Sequence, residues 1–434
     1  MKAHTHLMLA GALALGASLP AAAFDLAAAV QAARDYDASY AGARQSLLAG
    51  QEQAVQGRAL LLPSIGLSAG VTRTDAIKPA ADAYNTRSVG VQLTQPLFDV
   101  ASYTGYKKGV IGSELAGVQF SASSQQLIAD VAKAYFDTLL AEDVLNVTRA
   151  TKKAYERQLA QAKKAFEVGT ATITDTHEAQ AGYDSAQASE IAAVSDLEIK
   201  RNTLAKLTGL NAEQINHLRG SVALDADLGS LQSWLERAEA GSLSIKSAQQ
   251  QQQLAEENLT AARGKHLPTV ELTAGYSNAH TTEPSSRLAG RASTAGNSLG
   301  LNLTLPLYAG GGINSQVRAA AANLEKARSD VEASRRDVAL AVRSAWLGVS
   351  NGTAQVKAQE QLLVSAKSKL DATRLGREVG VRTNIDLLNA ESSYQDAVRA
   401  LAAARYNLLY ARLALALAAG ELDDQAVATV NRFF

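Results

Sequence analysis

The chain has no cysteine in its 434 residues. Disulfides and thiolate-bound metals are therefore excluded, and a lipid-modified N-terminal cysteine is not expected. Net charge is also missing, because 42 basic residues balance 42 acidic ones, which argues against nucleic acid as the main partner. Aromatics make up only 5% of the chain, too few for a thick aromatic core. Beyond the N-terminal segment no run of about 18 apolar residues occurs, so no membrane-spanning helix is expected. An exported chain of this kind can enter a bilayer only as closed β-structure. Proline is confined: apart from Pro20, every one lies between Pro63 and Pro96 or between Pro268 and Pro306. Proline breaks helix interiors but is tolerated at strand ends and turns, so each island can be strand and the long stretches around them helix.

What is present begins with a secretory signal over residues 1–23. Lys2 gives a basic start, Leu7 to Leu19 is apolar and small, and Ala21-Ala22-Ala23 offers a cleavage site that would leave Phe24 first.

The remainder is written twice. Leu62-Pro-Ser-Ile-Gly-Leu-Ser-Ala-Gly70 returns as Leu267-Pro-Thr-Val-Glu-Leu-Thr-Ala-Gly275, and Gly90-Val-Gln-Leu-Thr-Gln-Pro-Leu-Phe98 as Gly300-Leu-Asn-Leu-Thr-Leu-Pro-Leu-Tyr308. Phe166-Glu-Val-Gly-Thr-Ala-Thr-Ile-Thr-Asp175 returns as Arg377-Glu-Val-Gly-Val-Arg-Thr-Asn-Ile-Asp386, and Leu204 to Gly209 more loosely as Leu415 to Gly420. The four landmarks keep their order at spacings of 205 to 211 residues, too long a period for the common solenoids. The first repeat is placed at 24–209, with a β-hairpin at about 63–98 and a helical joint at about 168–175. A linker follows at 210–230. The second repeat covers 231–420, with its hairpin at about 268–308 and its joint at about 379–386, and a terminal segment spans 421–434.

Within the islands apolar and small polar residues alternate. Ile65, Leu67, Ala69 and Val71 interleave with Ser64, Gly66, Ser68 and Gly70, and Leu299, Leu301 and Leu303 with Ser298, Gly300 and Asn302. Period two gives one apolar and one small hydroxylic face per strand, suited to lipid on one side and water on the other. The alternative is a half-exposed hairpin on a soluble core. Strands of about ten residues match a tilted membrane strand. Four strands cannot close a barrel alone, since the smallest have about eight, so the barrel is expected to be shared between copies.

Asp99 to Val168 is a stretch of roughly 70 residues, about 100 Å if helical. Thr176 to Thr208 returns about half that distance, and Leu26 to Leu61 supplies the missing half. Ile313 to Glu378, Ile385 to Leu417 and Leu231 to Lys265 repeat the scheme.

Together the doubled strand starts and ends, the Val-Gly joints, "AKAYFDTLLAEDVL" (132–145) and "RYNLLYARLALALAAG" (405–420) resemble the TolC-type outer-membrane efflux and type I secretion channels. The likeness covers nearly the whole chain after the signal. It implies an α+β membrane protein of the Gram-negative outer membrane: a homotrimer with a 12-stranded β-barrel, four strands from each chain, continued by an α-helical barrel across the periplasm. A mixed belt would fall at 210–230 and after 420. The implied function is a passive exit duct working with a periplasmic adaptor and an inner-membrane transporter, embedded in outer-membrane lipid. The competing reading is a long helical scaffold or adhesin without a pore.

The two joints differ in one informative residue. Gly169 and Gly380 can end helices, and Thr172 with Asp175, like Thr383 with Asp386, can cap the next ones, which accounts for the shared residues without function. Arg382 stands where the first copy has Ala171. The resemblance makes Arg382 a gate latch with Asp175 as its carboxylate partner, and Asp386 the acid of a three-fold constriction. Arg377 replaces the family's gate tyrosine and is either a second partner for Asp175 or solvated. Asn389 replaces a second ring acid. The tips Val168, Gly169 and Thr170, and Val379, Gly380 and Val381, would receive the adaptor.

No catalytic constellation is found. His177-Glu178 lacks the second His of a zinc-protease helix, His217, His266 and His280 stand alone, and Gly310-Gly-Gly312 lacks the P-loop lysine. No enzyme activity, cofactor or metal is expected.

Overall fold

The computed structural model describes residues 23–76, 81–219, 228–282 and 292–434. All but the last residue of the expected signal, residues 77–80 and 283–291 with Pro79 and Pro284, and residues 220–227 of the linker lie outside the described residues.

The duplication is visible element by element. The first half runs α1 (Leu26–Tyr36), α2 (Ala38–Ala59), β1 (Ser64–Ala76), β2 (Ala81–Phe98), α3 (Val100–Glu167) and α4 (Ile173–Thr208). The second runs α5 (Leu231–Gly241), α6 (Leu243–Gly264), β3 (Thr269–Thr282), β4 (Ala292–Thr304), α7 (Gly312–Glu378) and α8 (Asn384–Ala419), and α9 (Asp424–Asn431) follows. Paired helices match in length: 11 and 11 residues, 22 and 22, 68 and 67, 36 and 36.

Two expectations need correction. Leu26 to Leu61 and Leu231 to Lys265 each form two helices, not one. Asp37 leaves the helical region (ψ 124°) and caps α2 through its carboxylate, which accepts from Tyr40 N–H at 2.7 Å; Ser242 breaks the second copy at ψ 125°. Each break abuts the end of the returning helix. A Cβ on Gly209, where α4 ends, would meet the Tyr36 ring at 2.7 Å, and one on Gly241 would meet the Ala419 carbonyl at 2.8 Å. The strands, at 13 to 18 residues, also exceed the expected ten.

The strands form one antiparallel sheet in the order β1-β2-β3-β4. The helices form a wall one layer deep. Helices α2 and α4 pack along α3, α3 also packs on α6 and α8, and α6 and α8 pack on α7. The wall therefore has two free edges, α2 with α4 on one side and α7 on the other, and they continue the two free sheet edges, β1 and β4. On α7 the buried residues Leu324 and Val331, then Val342, Val349 and Val356, recur every seven residues, the knobs-into-holes period.

Near mid-length the layer thickens. Residues 127–139 of α3 pack with α1, the first linker residues, α5, α8 and α9 around the fully buried Tyr135. Its hydroxyl donates to the Asn216 carbonyl at 3.0 Å, and its ring meets Phe24, Phe136 and Phe434 edge-on. Burial pushes the Tyr135 phenol well above its ordinary range. Phe24 bridges to Ile215, and Arg219 N–H donates to the Phe433 carbonyl, so both ends of the described chain are tied here.

Below the sheet, α2 lies almost backbone to backbone on α3. Gly105, Gly109 and Gly112 line one face of α3; a Cβ on Gly109 would stand 2.3 Å from the Gln53 carbonyl oxygen and 3.0 Å from Gly57 Cα. Gly109→Val is expected to destabilise the protein by about 1–3 kcal/mol through overpacking. Gly42→Ala, at an exposed site with no atom within 4 Å of the new methyl, should be neutral or stabilising. Thermal melts followed by far-ultraviolet circular dichroism compare the two; equal melting would refute the close approach.

Candidate functional site

The sheet separates two environments. Residues opposite one another in an antiparallel pair share a face, so the register assigns every side chain a side. One face collects Ile65, Leu67, Val71, Val89, Val91, Leu93, Leu272, Tyr276, Leu299, Leu301 and Leu303. Most are exposed, Leu67 at 76% and Leu299 at 78%. The opposite face carries Ser, Thr, Gly, Gln92 and Asn302, joined by contacts such as Thr86 Oγ1 to Thr281 Oγ1 at 3.1 Å.

The outer border of the apolar face crosses the sheet obliquely. Its last apolar residues are Val71, Val89, Tyr276 and Leu299, followed on the same face by Arg73, Arg87, Asn278 and Asn297. Val71 pairs with Arg87, Val89 with Asn278, and Tyr276 with Asn297, so the border steps two residues at each strand. That is about 7 Å along a strand for about 4.8 Å across the sheet, an inclination of roughly 55°. Strands of membrane barrels are tilted in this way, and a packed soluble sheet has no reason for such a diagonal. Val89 to Phe98 covers about 34 Å of strand, or about 20 Å of height at this inclination and about 24 Å at the roughly 45° usual for membrane barrels, whose apolar band is about 25 Å tall.

At the far end of the helices the two joints agree bond for bond. After α3, Gly169 has φ 77° and the N–H groups of Thr170 and Ala171 both donate to the Ala165 carbonyl, at 2.8 and 3.2 Å. After α7, Gly380 has φ 82° and the N–H groups of Val381 and Arg382 both donate to the Gly376 carbonyl, at 2.8 and 3.1 Å. Thr172 with Asp175 and Thr383 with Asp386 form complete capping boxes. Hydrogen bonds from the Thr172 backbone N–H and hydroxyl hold the Asp175 carboxyl below the ordinary carboxylate range. Those from Thr383 do the same for Asp386, with the Arg382 charge adding. Val168, Val379 and Val381 are exposed at 73%, 66% and 75%, so the tips present apolar side chains to whatever meets them.

Arg382 does not reach Asp175 within one chain. Among the described residues no ion pair joins them, and Asp175 spends its bonds on Thr172. Arg377 takes neither expected course: its Nη1 donates to Gln161 Oε1 at 3.1 Å, from α7 to α3. A second link crosses one turn away, where Gln158 Nε2 donates to the Asn384 carbonyl at 3.3 Å. Sequence reasoning missed Gln158 and Gln161, although their spacing of three on one helix places them on one face. Asp386 and Asn389 are likewise one turn apart on α8, with Asn389 exposed.

The sequence model of the family described as "Outer membrane efflux protein" matches residues 19–210 and 234–421. The chain is 34% identical to the outer membrane protein TolC of Escherichia coli over 388 residues, 88% of this chain and 79% of that protein. It is 31% identical to the alkaline protease secretion protein AprF of Pseudomonas aeruginosa, covering 90% and 83%. Among solved structures the Campylobacter jejuni CmeC outer membrane channel superposes with a TM-score of 0.80 at 16% identity, over 100% of this chain and 98% of that one. The outer membrane protein VceC of Vibrio cholerae gives 0.77 at 18%, over 92% and 97%.

The caps set a pH dependence. A carboxyl whose folded pKa is depressed stabilises the fold above its unfolded value and ceases to do so as pH falls through the folded one. Protection of the amides at the starts of α4 and α8, relative to their intrinsic exchange rates, should thus hold from pH 7 down to about 4 and fall only below. Thr172→Ala and Thr383→Ala should speed exchange there about fivefold at pH 7. Protection lost already near pH 6 would show that other groups hold the tips.

Proposed function

The chain belongs to the outer membrane efflux protein family and is an outer-membrane exit duct of the efflux and type I secretion kind; we propose that three copies close head to tail into one conduit. The observation that carries this reading is the pair of matched open edges. Each chain is a strip of wall, with β1, α2 and α4 on one margin and β4 and α7 on the other. Ile191 and Ile199 on α4, and Leu340, Leu347 and Val364 on α7, are left exposed along those margins. A head-to-tail contact that closes gives a ring, and three strips give twelve strands, enough for a water-filled lumen. The small hydroxylic sheet face lines that lumen and the oblique apolar band meets lipid. A scaffold without a pore has no use for a polar inner face.

The helical tips form the periplasmic gate and the docking point for an adaptor that couples the duct to an inner-membrane transporter. Closing the ring sets the α7–α8 tip of one copy beside the start of α4 of the next. Arg382 then pairs with Asp175 across the subunit boundary, while Arg377–Gln161 and Gln158–Asn384 hold the two hairpins of a copy together. Exposed ion pairs contribute about 0–1 kcal/mol each, so three bias the closed state without locking it. Asp386 rings the constriction; Asn389 leaves one carboxylate per chain there, which gives moderate preference for cations.

In planar bilayers the purified protein should migrate on gels as a heat-sensitive trimer and conduct in small, stable steps. Arg382→Ser and Arg377→Ala should each raise single-channel conductance, the first by freeing the boundary and the second by loosening hairpins within a copy. Unchanged conductance in both would remove the latch. Asp386→Asn should abolish the residual cation preference in reversal potentials under a salt gradient; a preference that survives it places the selecting charge elsewhere.

A further inference from the structure

We propose that the outward rim of the sheet binds the phosphate groups of anionic lipid headgroups in the outer leaflet, through Arg73 and Arg87 on the membrane side. This rests on the barrel reading above. These two arginines are the first residues beyond the apolar border on their strands, so they stand at the height where hydrocarbon gives way to headgroups. Val71 faces Arg87 and Asn85 faces Arg73, which makes the arginines diagonal neighbours on paired strands with Cβ atoms about 7–8 Å apart. Two guanidinium forks at that spacing converge on one phosphate, or hold two adjacent ones, with the bidentate geometry that arginine offers. His280 faces Arg87 from β3 and lengthens the basic row.

At the height of the arginines the charge sits on one side only, the lumen-face acid Glu271 lying at the other end of the sheet. At the same level the lumen face presents Thr72, Ser88 and Thr281, all neutral, so the arginines are not placed to select what passes through the pore. Arg87 makes no ion pair among the described residues, and Arg73 has Asp75 3.8 Å from its Nε in a loose, exposed pair, with the Arg73 side chain 69% exposed. On the helix side of the sheet, Lys107 is paired with Glu257 at 3.1 Å and Lys108 donates to Asn258 at 3.2 Å. The position of the arginines, just beyond the apolar border on the membrane side, fits an anionic lipid in the outer leaflet.

The test uses the full chain in phosphatidylcholine vesicles containing either lipid A, a diphosphorylated glycolipid, or its dephosphorylated form. Native mass spectrometry after detergent extraction reads lipid retained per trimer, and bilayer conductance is recorded from the same samples. The wild type should retain lipid A and not the dephosphorylated lipid, and Arg73→Gln/Arg87→Gln should lower retention about tenfold with conductance unchanged. Equal retention of the two lipids by the wild type overturns the proposal, whether or not the double variant folds, and so does full retention by a folded double variant. Loss of conductance from the wild type in both lipids would instead sink the barrel reading beneath it.

Discussion

On the outer sides of β1 and β4, backbone N–H and C=O groups have no strand partner among the described residues, where the sheet has four strands. In hydrocarbon each unpaired group costs several kcal/mol, and no side chain can make up that loss along a whole strand. The single chain is thus an incomplete object. Its two margins need another copy, and the helices beneath obey the same demand, since their apolar residues on α4 and α7 have nothing to cover them within the chain. Sheet order and helix order agree on which elements lie at the margins. One closing operation satisfies both.

The duplicated half is a solution to building a wall rather than a ball. A layer one helix deep has two wet faces and buries only its seams, so it cannot accumulate a thick core. Alanine, glycine and heptad-spaced Val and Leu are enough for seams, and the scarcity of aromatics follows. Where aromatics do gather, around Tyr135, the layer is locally thicker and the linker and chain ends are tied down. The repeats have diverged little in length and considerably in what they present. The first tip offers Ala171 where the second offers Arg382, an asymmetry that gives the two hairpins different chemistry on the same bond pattern.

Much of this was legible in the residues. Proline islands and period-two alternation located all four strands, because proline is excluded from helix interiors and alternation is forced wherever one face is wet. The Thr-x-x-Asp capping boxes could be read at both joints. The breaks at Asp37 and Ser242 could not, since both lie in Ala-, Ser- and Gln-rich sequence where a polar residue is equally at home on a helix surface. Gln158 and Gln161 were hidden for another reason. Nothing distinguishes them from the other glutamines of α3 until it is known which side of that helix meets α7 and α8. The oblique border likewise needs the strand register, which alternation within one strand does not supply.

Each helical tip is closed wholly by its own residues: the carbonyl that takes two N–H donors, the left-handed glycine and the capping box all lie within a few positions of one another. Nothing in that closure is borrowed from the opposite hairpin. Displacing one tip from the other therefore breaks the glutamine contacts and the local packing of α8 on α3 and leaves the turn itself undisturbed. Such a joint swings as a solid lever, and whatever bending accompanies passage of a large cargo must be taken up farther along the long helices.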